Sequence, residues 1–291
     1  MIPHKSIAIV EFSTSFTLYT VFGLISTFIG NIFFYSSIYC FSIATAITFI
    51  RLRIQHKHEA FECLPRGKYN GYEVSWRAAL LGALLSTGLK IFLTGPAHWR
   101  IFGIYMSVMS FFHFSEFIAI AIIQPTQVST DSFVLNHSPQ YIAAAVSSWI
   151  EFFIEAYFFP GFKQHLSISY VGLFICVFGE YLRKLAMITA GRNFNHLVQS
   201  KKADDQTLVT TGVYAYFRHP SYVGWFYWAI GTQIILLNPF CIVAYTVVSW
   251  MFFNSRIYIE EITLLNFFGQ NYVDYQKRVG TGIPYIKGYE I

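Results

Sequence analysis

The chain has 291 residues, of which 55% are hydrophobic, 20% aromatic and only 12% charged. Soluble domains carry about 25% charge, so this composition, with a mean hydropathy of +0.46, excludes a water-soluble particle, and its wealth of aromatic residues excludes disorder. The four cysteines (Cys40, Cys63, Cys176, Cys241) are scattered, which excludes a secreted disulfide scaffold.

A membrane-crossing helix needs about 20 mostly apolar residues. Eight such runs lie near 7–29, 31–50, 76–95, 100–123, 140–160, 168–190, 221–237 and 240–258. They predict an all-α, polytopic integral membrane protein with about eight transmembrane helices. Gly30-Asn31 joins the first two runs by a minimal turn, and Asn238-Pro239 joins the last two as a tight helical hairpin. The third run has small residues at helical spacing (Ala78, Gly82, Ser86), which predicts close helix packing. No cleaved signal peptide is expected at the N-terminus. With both termini cytosolic, every Lys and Arg falls on the cytosolic side except Lys90, Arg100 and Lys163. This is the positive-inside pattern. The net charge of +5 is therefore a topology signal and calls for no nucleic-acid partner. We expect one membrane domain over 1–291. Residues 1–190 form a scaffold of six spans. Residues 191–291 hold a loop, a helical hairpin and a cytosolic C-terminal segment.

Carboxylates inside spans are the first place to look for ion chemistry. Glu11, Glu116, Glu151, Glu155 and Glu180 are few and spread over several helices. Pairing between helices, for example of Glu180 with Arg183 or Lys184, is the favoured reading. No metal site is expected. His56 and His58 cannot both face one ion from a regular helix, and His113-x-x-Glu116 is half of a di-metal motif without its other half.

Two segments are denser in polar chemistry. Residues 192–222 contain His196, Gln199, Asp204, Asp205, Tyr214, Tyr216, Arg218, His219 and Tyr222 between two spans. Pro220 suits a first helical turn, and a helix N-terminus at the cytosolic face can hold an anion. An ordinary interfacial loop with an aromatic belt explains the same composition. In the second segment Arg256 and Glu260 are four residues apart and share a helix face. They form either a weak surface salt bridge or two ligand contacts, with Arg256 suited to a carboxylate. Beyond them, 264–275 predicts a short surface helix broken at Gly269.

The run from Gly212-Val-Tyr-Ala-Tyr-Phe to Arg218-His219-Pro220-Ser221-Tyr222-Val-Gly224, followed by the hairpin, Glu260-Glu261 and Phe-Gly-x-x-Tyr-x-x-Tyr, resembles the isoprenylcysteine carboxyl methyltransferases. Arg-His-Pro alone is shared with phospholipid methyltransferases and sterol reductases. The longer run through Gln199 and Leu208-Val209, with the eight-span layout, narrows the match. The resemblance implies S-adenosylmethionine as methyl donor and, as substrates, prenylated CaaX proteins ending in a farnesylated or geranylgeranylated cysteine. It implies an endoplasmic reticulum membrane enzyme whose active site faces the cytosol. Carried over by motif position, it implies cofactor contacts at Gln199, Gln206, Thr207, Leu208, Val209, Tyr214, His219, Pro220, Ser221, Tyr222 and Glu260. Arg256 would bind the substrate carboxylate. The other readings are a phospholipid N-methyltransferase, a sterol reductase-like enzyme and a transporter. The last lacks the repeated halves that transporters show.

Overall fold

The computed structural model describes residues 4–29, 71–135, 138–196, 198–199 and 201–290. The expected span 31–50 and the His56/His58 segment lie outside the described residues. Those described are helical and contain no strand. They fall into two compact units, 1–166 and 167–291.

The first unit contains α1 (His4–Ile29), α2 (Gly71–Thr94), α3 (Ala97–Ile123) and α4 (Pro139–Phe158). Close packing at the small residues of α2 is present as expected. A Cβ at Gly82 would lie 2.5 Å from the Phe16 carbonyl of α1, and one at Gly88 would lie 2.7 Å from the Gly103 carbonyl of α3. Ala78 and Ser86 are buried. Several in-span polar groups find partners. His113 Nδ1 donates to the Phe133 carbonyl at 2.9 Å. Glu155 meets the fully buried Lys163, whose ammonium also lies over the Phe152 ring.

The second unit contains α5 (Leu166–Ala190), α6 (Pro220–Leu236), α7 (Pro239–Phe268) and α8 (Gln270–Gln276). Glycines seven residues apart let α5 and α6 touch backbone to backbone. A Cβ at Gly172 would meet Ile235 N at 2.5 Å, and one at Gly179 would meet the Gly224 carbonyl at 2.5 Å. Ser169 Oγ adds a bond to the Ile235 carbonyl at 2.8 Å. Glu180 pairs with Lys184 at 3.0 Å, in line with the pairing reading. The α6–α7 turn is the tight hairpin expected at Asn238-Pro239. Leu237 is left-handed, and Asn238 Nδ2 donates to Gln233 Oε1 at 3.2 Å.

Three helices are long and apolar enough to cross a membrane among the described residues: Glu73–Thr94, Ala97–Ile123 and Pro239–Phe268. The others differ for physical reasons. α6 has only 17 residues, α5 carries Glu180, Arg183 and Lys184, and α4 carries Glu151 and Glu155. Their outward faces are still apolar, as at Ile150, Phe153 and Ile154 of α4 and Val171, Phe174 and Val177 of α5. The last expected span ends at 258, whereas α7 continues unbroken to Phe268 and stops at Gly269, where φ is +53°. Its 30 residues measure about 45 Å at 1.5 Å per residue, longer than a hydrocarbon layer of about 30 Å. Its last turns, which carry Glu260, Glu261 and Leu264, therefore lie farther from its start than one such layer can cover.

Candidate active site

A cleft open to solvent lies in the second unit. Four pieces of chain build it: residues 193–195 after α5, the extended 206–209 segment, the start of α6, and one face of α7 with α8. Asn193 ties the first two together, since Thr207 N donates to its Oδ1 at 2.9 Å. On α7 the lining residues Glu260, Leu264 and Phe268 recur every four positions, so one helical face supplies a carboxylate and an apolar wall.

The α6 N-terminus closes one end. His219 is its N-cap and Pro220 takes the first helical position. Arg183, buried in α5, donates from Nη1 to Ser221 Oγ at 2.7 Å and lies 4.8 Å over the Trp225 ring. A fixed positive charge thus stands behind a helix terminus that already favours anions. His219 Nε2 donates to Glu261 Oε1 at 3.1 Å, and the imidazole stacks on Tyr222 with planes 7° apart. Its Nδ1 lies 4.0 Å from Glu260 Oε1.

Beneath the cleft, Glu261 is completely buried. It accepts from Arg218 Nε at 2.8 Å, His219 Nε2 at 3.1 Å, the Tyr272 hydroxyl at 3.2 Å and Tyr289 N at 2.8 Å. Arg218 also donates to the carbonyls of Gln276, Val279 and Lys287. A buried ion pair survives only when its remaining donors and acceptors are satisfied, and here the C-terminal tail supplies the partners.

Arg256 lies beside this arrangement, with its Nε donating to the Tyr222 hydroxyl at 2.9 Å. That hydroxyl donates in turn to Glu260 Oε2 at 2.5 Å. Arg256 Nη2 donates to the His196 carbonyl. These contacts use two of the five N–H groups of a guanidinium. Around the cleft the phenols stay protonated. Burial, reinforced by the Glu260 charge, pushes Tyr214 upward. Burial, reinforced by Glu261, does the same for Tyr272. Burial raises Tyr275 to about 12, and its hydroxyl donates to the Tyr214 carbonyl at 2.6 Å.

Comparison with known proteins shows the family. The Isoprenylcysteine carboxyl methyltransferase (ICMT) family matches residues 171–266. The chain is 67% identical over 220 residues to a protein-S-isoprenylcysteine O-methyltransferase from Tribolium castaneum, covering 76% of this chain and 78% of that one. It is 52% identical to the Homo sapiens protein of the same name, again over 220 residues, with 76% and 77% covered. A solved eukaryotic intramembrane Ras methyltransferase, ICMT, covers all of both chains at 53% identity and a TM-score of 0.88. The chain belongs to the isoprenylcysteine carboxyl methyltransferase family.

In this ICMT-family chain, Gln206, Thr207, Leu208, Val209, Tyr214, His219, Pro220, Ser221, Tyr222 and Glu260 all line the cleft. Gln199 is exposed and outside the lining, and Arg256 is reached through Tyr222. The lining also includes Asn193, Phe194, Asn195 and Leu264, which no motif covers, and Phe268, Tyr272 and Tyr275 of the Phe-Gly-x-x-Tyr-x-x-Tyr motif, to which no site role was carried over. One signal could have found Leu264 and Phe268, namely their four-residue spacing from Glu260 on a continued α7.

Proposed function

We propose that the cleft binds S-adenosylmethionine and that Arg256 holds the carboxylate of the prenylcysteine acceptor. The chain is an enzyme that methylates prenylcysteine carboxyl groups, and S-adenosylmethionine supplies an electrophilic methyl group for that reaction. The observation carrying the site assignment is the Arg256–Tyr222–Glu260 chain, which runs from outside the cleft to its lining.

The residues suit such a donor. The α6 N-terminus, backed by Arg183, offers N–H groups to a carboxylate. Glu260, Gln206 and Asn193 offer hydrogen bonds to polar groups. Leu208, Leu264 and Phe268 offer apolar contact to a flat ring. An α-carboxyl has a pKa of about 3.5, so the acceptor is anionic at neutral pH and needs no general base. What the protein contributes is alignment. Arg256 orients the acceptor oxygens at the level where α7 leaves the apolar layer, while Tyr222 fixes the guanidinium. Tight pairing in the ground state would not speed the step, and sharing Arg256 with a neutral phenol and a carbonyl tempers its hold. The fit to a prenyl chain follows from the outward apolar faces of α5 and α7, since a lipid substrate is best met from the bilayer. The basic cytosolic face and the endoplasmic reticulum complete the reading.

Arg256→Ala tests it. Methylation of N-acetyl-farnesylcysteine should fall about 100-fold or more in kcat/KM, the scale of a lost buried charge contact. Calorimetric affinity for S-adenosylhomocysteine should stay within a few-fold. Collapse of that affinity instead would overturn the assignment of Arg256 to the acceptor.

A further inference from the structure

The C-terminal tail turns back toward the bilayer. Trp250 Nε1 donates to the Pro284 carbonyl at 2.8 Å. Trp250 lies about 17 Å along α7 from Pro239 and about 9 Å below Arg256, at 1.5 Å per residue. That is inside an apolar layer about 30 Å thick. Ile283 and Ile286 are buried in one core with Val223, Phe226, Phe253 and Ile257 of the α6–α7 hairpin, Leu182 and Ala186 of α5, and Val213 of the 212–217 loop. The tail tip therefore reaches from the level of the 212–217 loop down to that of Trp250 in the hairpin.

Its chemistry matches that depth. Residues 281–286 (Thr-Gly-Ile-Pro-Tyr-Ile) carry no charge, whereas Lys277, Arg278 and Lys287 flank them. Irregular backbone is tolerated in an apolar medium only where its polar groups are satisfied. Here the Gly280 and Thr281 carbonyls accept from the backbone N–H groups of Arg218 and His219, and Ile286 N donates to the Ile283 carbonyl. The Thr281 hydroxyl donates to the Ile286 carbonyl, the Pro284 carbonyl accepts from Trp250, and Pro284 has no N–H. At the tip Tyr285 is left-handed, with φ of +63°, and 94% exposed. A non-glycine residue held there is strained, yet it buries nothing in the protein. Its neighbours in depth on α7, Val247, Val248 and Met251, are exposed apolar side chains.

We propose that residues 281–286 form a re-entrant loop seated in the lipid bilayer, with Tyr285 at its tip facing lipid. The largely apolar ring suits that contact, and the flanking cations suit anionic headgroups. The opposite face of the same tail holds Arg218 and Glu261 beneath the cleft. Lipid contact and site geometry thus share one short segment. The loop stands apart from the assignment of donor and acceptor, and its test does not depend on it.

The wild-type enzyme in phosphatidylcholine–phosphatidylserine vesicles provides the test, by water-borne hydroxyl-radical footprinting. Tyr216, 76% exposed in the 212–217 loop, is the reference. Water would reach Tyr285 faster by exposure alone. Seated in lipid, it should be oxidised at least about fivefold more slowly than Tyr216, because the apolar layer excludes water. Oxidation at the rate of Tyr216 or faster overturns the loop. A nitroxide at Tyr285→Cys, in a background lacking the four native cysteines, identifies what covers the site. High oxygen accessibility, as at Met251→Cys, supports lipid. Low accessibility to both oxygen and a nickel chelate means a protein partner or second copy, and it too overturns the proposal.

Discussion

Tyr222 stands between two opposite charges. It accepts from Arg256 and donates to Glu260, so its hydroxyl is shared by the residue assigned to the acceptor and the one assigned to the donor. Tyr222→Phe should raise KM for both substrates, by about tenfold each, as expected for one hydrogen bond to a charged group. Arg256→Ala should move the acceptor alone, and two-substrate initial-rate kinetics separates the patterns. Glu261 plays a different part. Glu261→Ala leaves Arg218 buried without its counter-charge, a loss of about 3–5 kcal/mol, visible as a lower thermal midpoint before any kinetic reading. The motif residues were legible in sequence because they are contiguous: Arg218 to Tyr222 form one cap and first turn. Asn193 and Asn195 were not, because they reach the cleft by long-range folding and each is an ordinary polar residue in its own segment.

At the level of helices, α5 and α6 approach through Gly172, Gly179, Gly224 and Gly231. Gly224→Val should cost several kcal/mol through overpacking, which typically costs about 1–3 kcal/mol per site and more where backbone must move. Gly161→Ala is the control, since a Cβ there meets nothing within 4 Å, and should leave the thermal midpoint unchanged. The short helix α8 adds a pH response. Tyr275 ionises near 10 when unfolded and near 12 when folded. Its contribution is complete below pH 10 and fades as pH rises toward 12, because the unfolded chain gives up the proton first. The thermal midpoint should therefore fall over that interval, and less steeply in Tyr275→Phe. Helix positions could be read from hydropathy to within three residues for α3, α4, α5 and α6. The full length of α7 could not, because its last ten residues exchange apolar character for the chemistry of the site while the helix simply continues.

For the whole molecule, charge sorting carries the most information. Eight spans with both termini cytosolic remain our proposal, and glycosylation tags give it a direct check. A tag between 124 and 138 should stay unmodified, and one at 160–165 should be modified. Composition disclosed the membrane environment, since outward faces here are apolar where a soluble protein would be polar. It could not disclose how the chain divides into two compact units, because helix-to-helix contacts depend on which apolar faces meet and every span is apolar all round.

The unbroken length of α7 has a consequence for the choice of membrane. Arg256 sits about 26 Å along this rigid rod from Pro239, at 1.5 Å per residue. The hydrocarbon of the endoplasmic reticulum is about 27 Å thick and that of the plasma membrane about 32–33 Å. In the thinner sheet the guanidinium emerges level with the headgroups. In the thicker one it is drowned some 6 Å below them, where a charge is costly. On the proposed topology the helix is a gauge of bilayer thickness. Turnover in vesicles of graded acyl length should peak at the thinner setting and decline as the lipid grows longer.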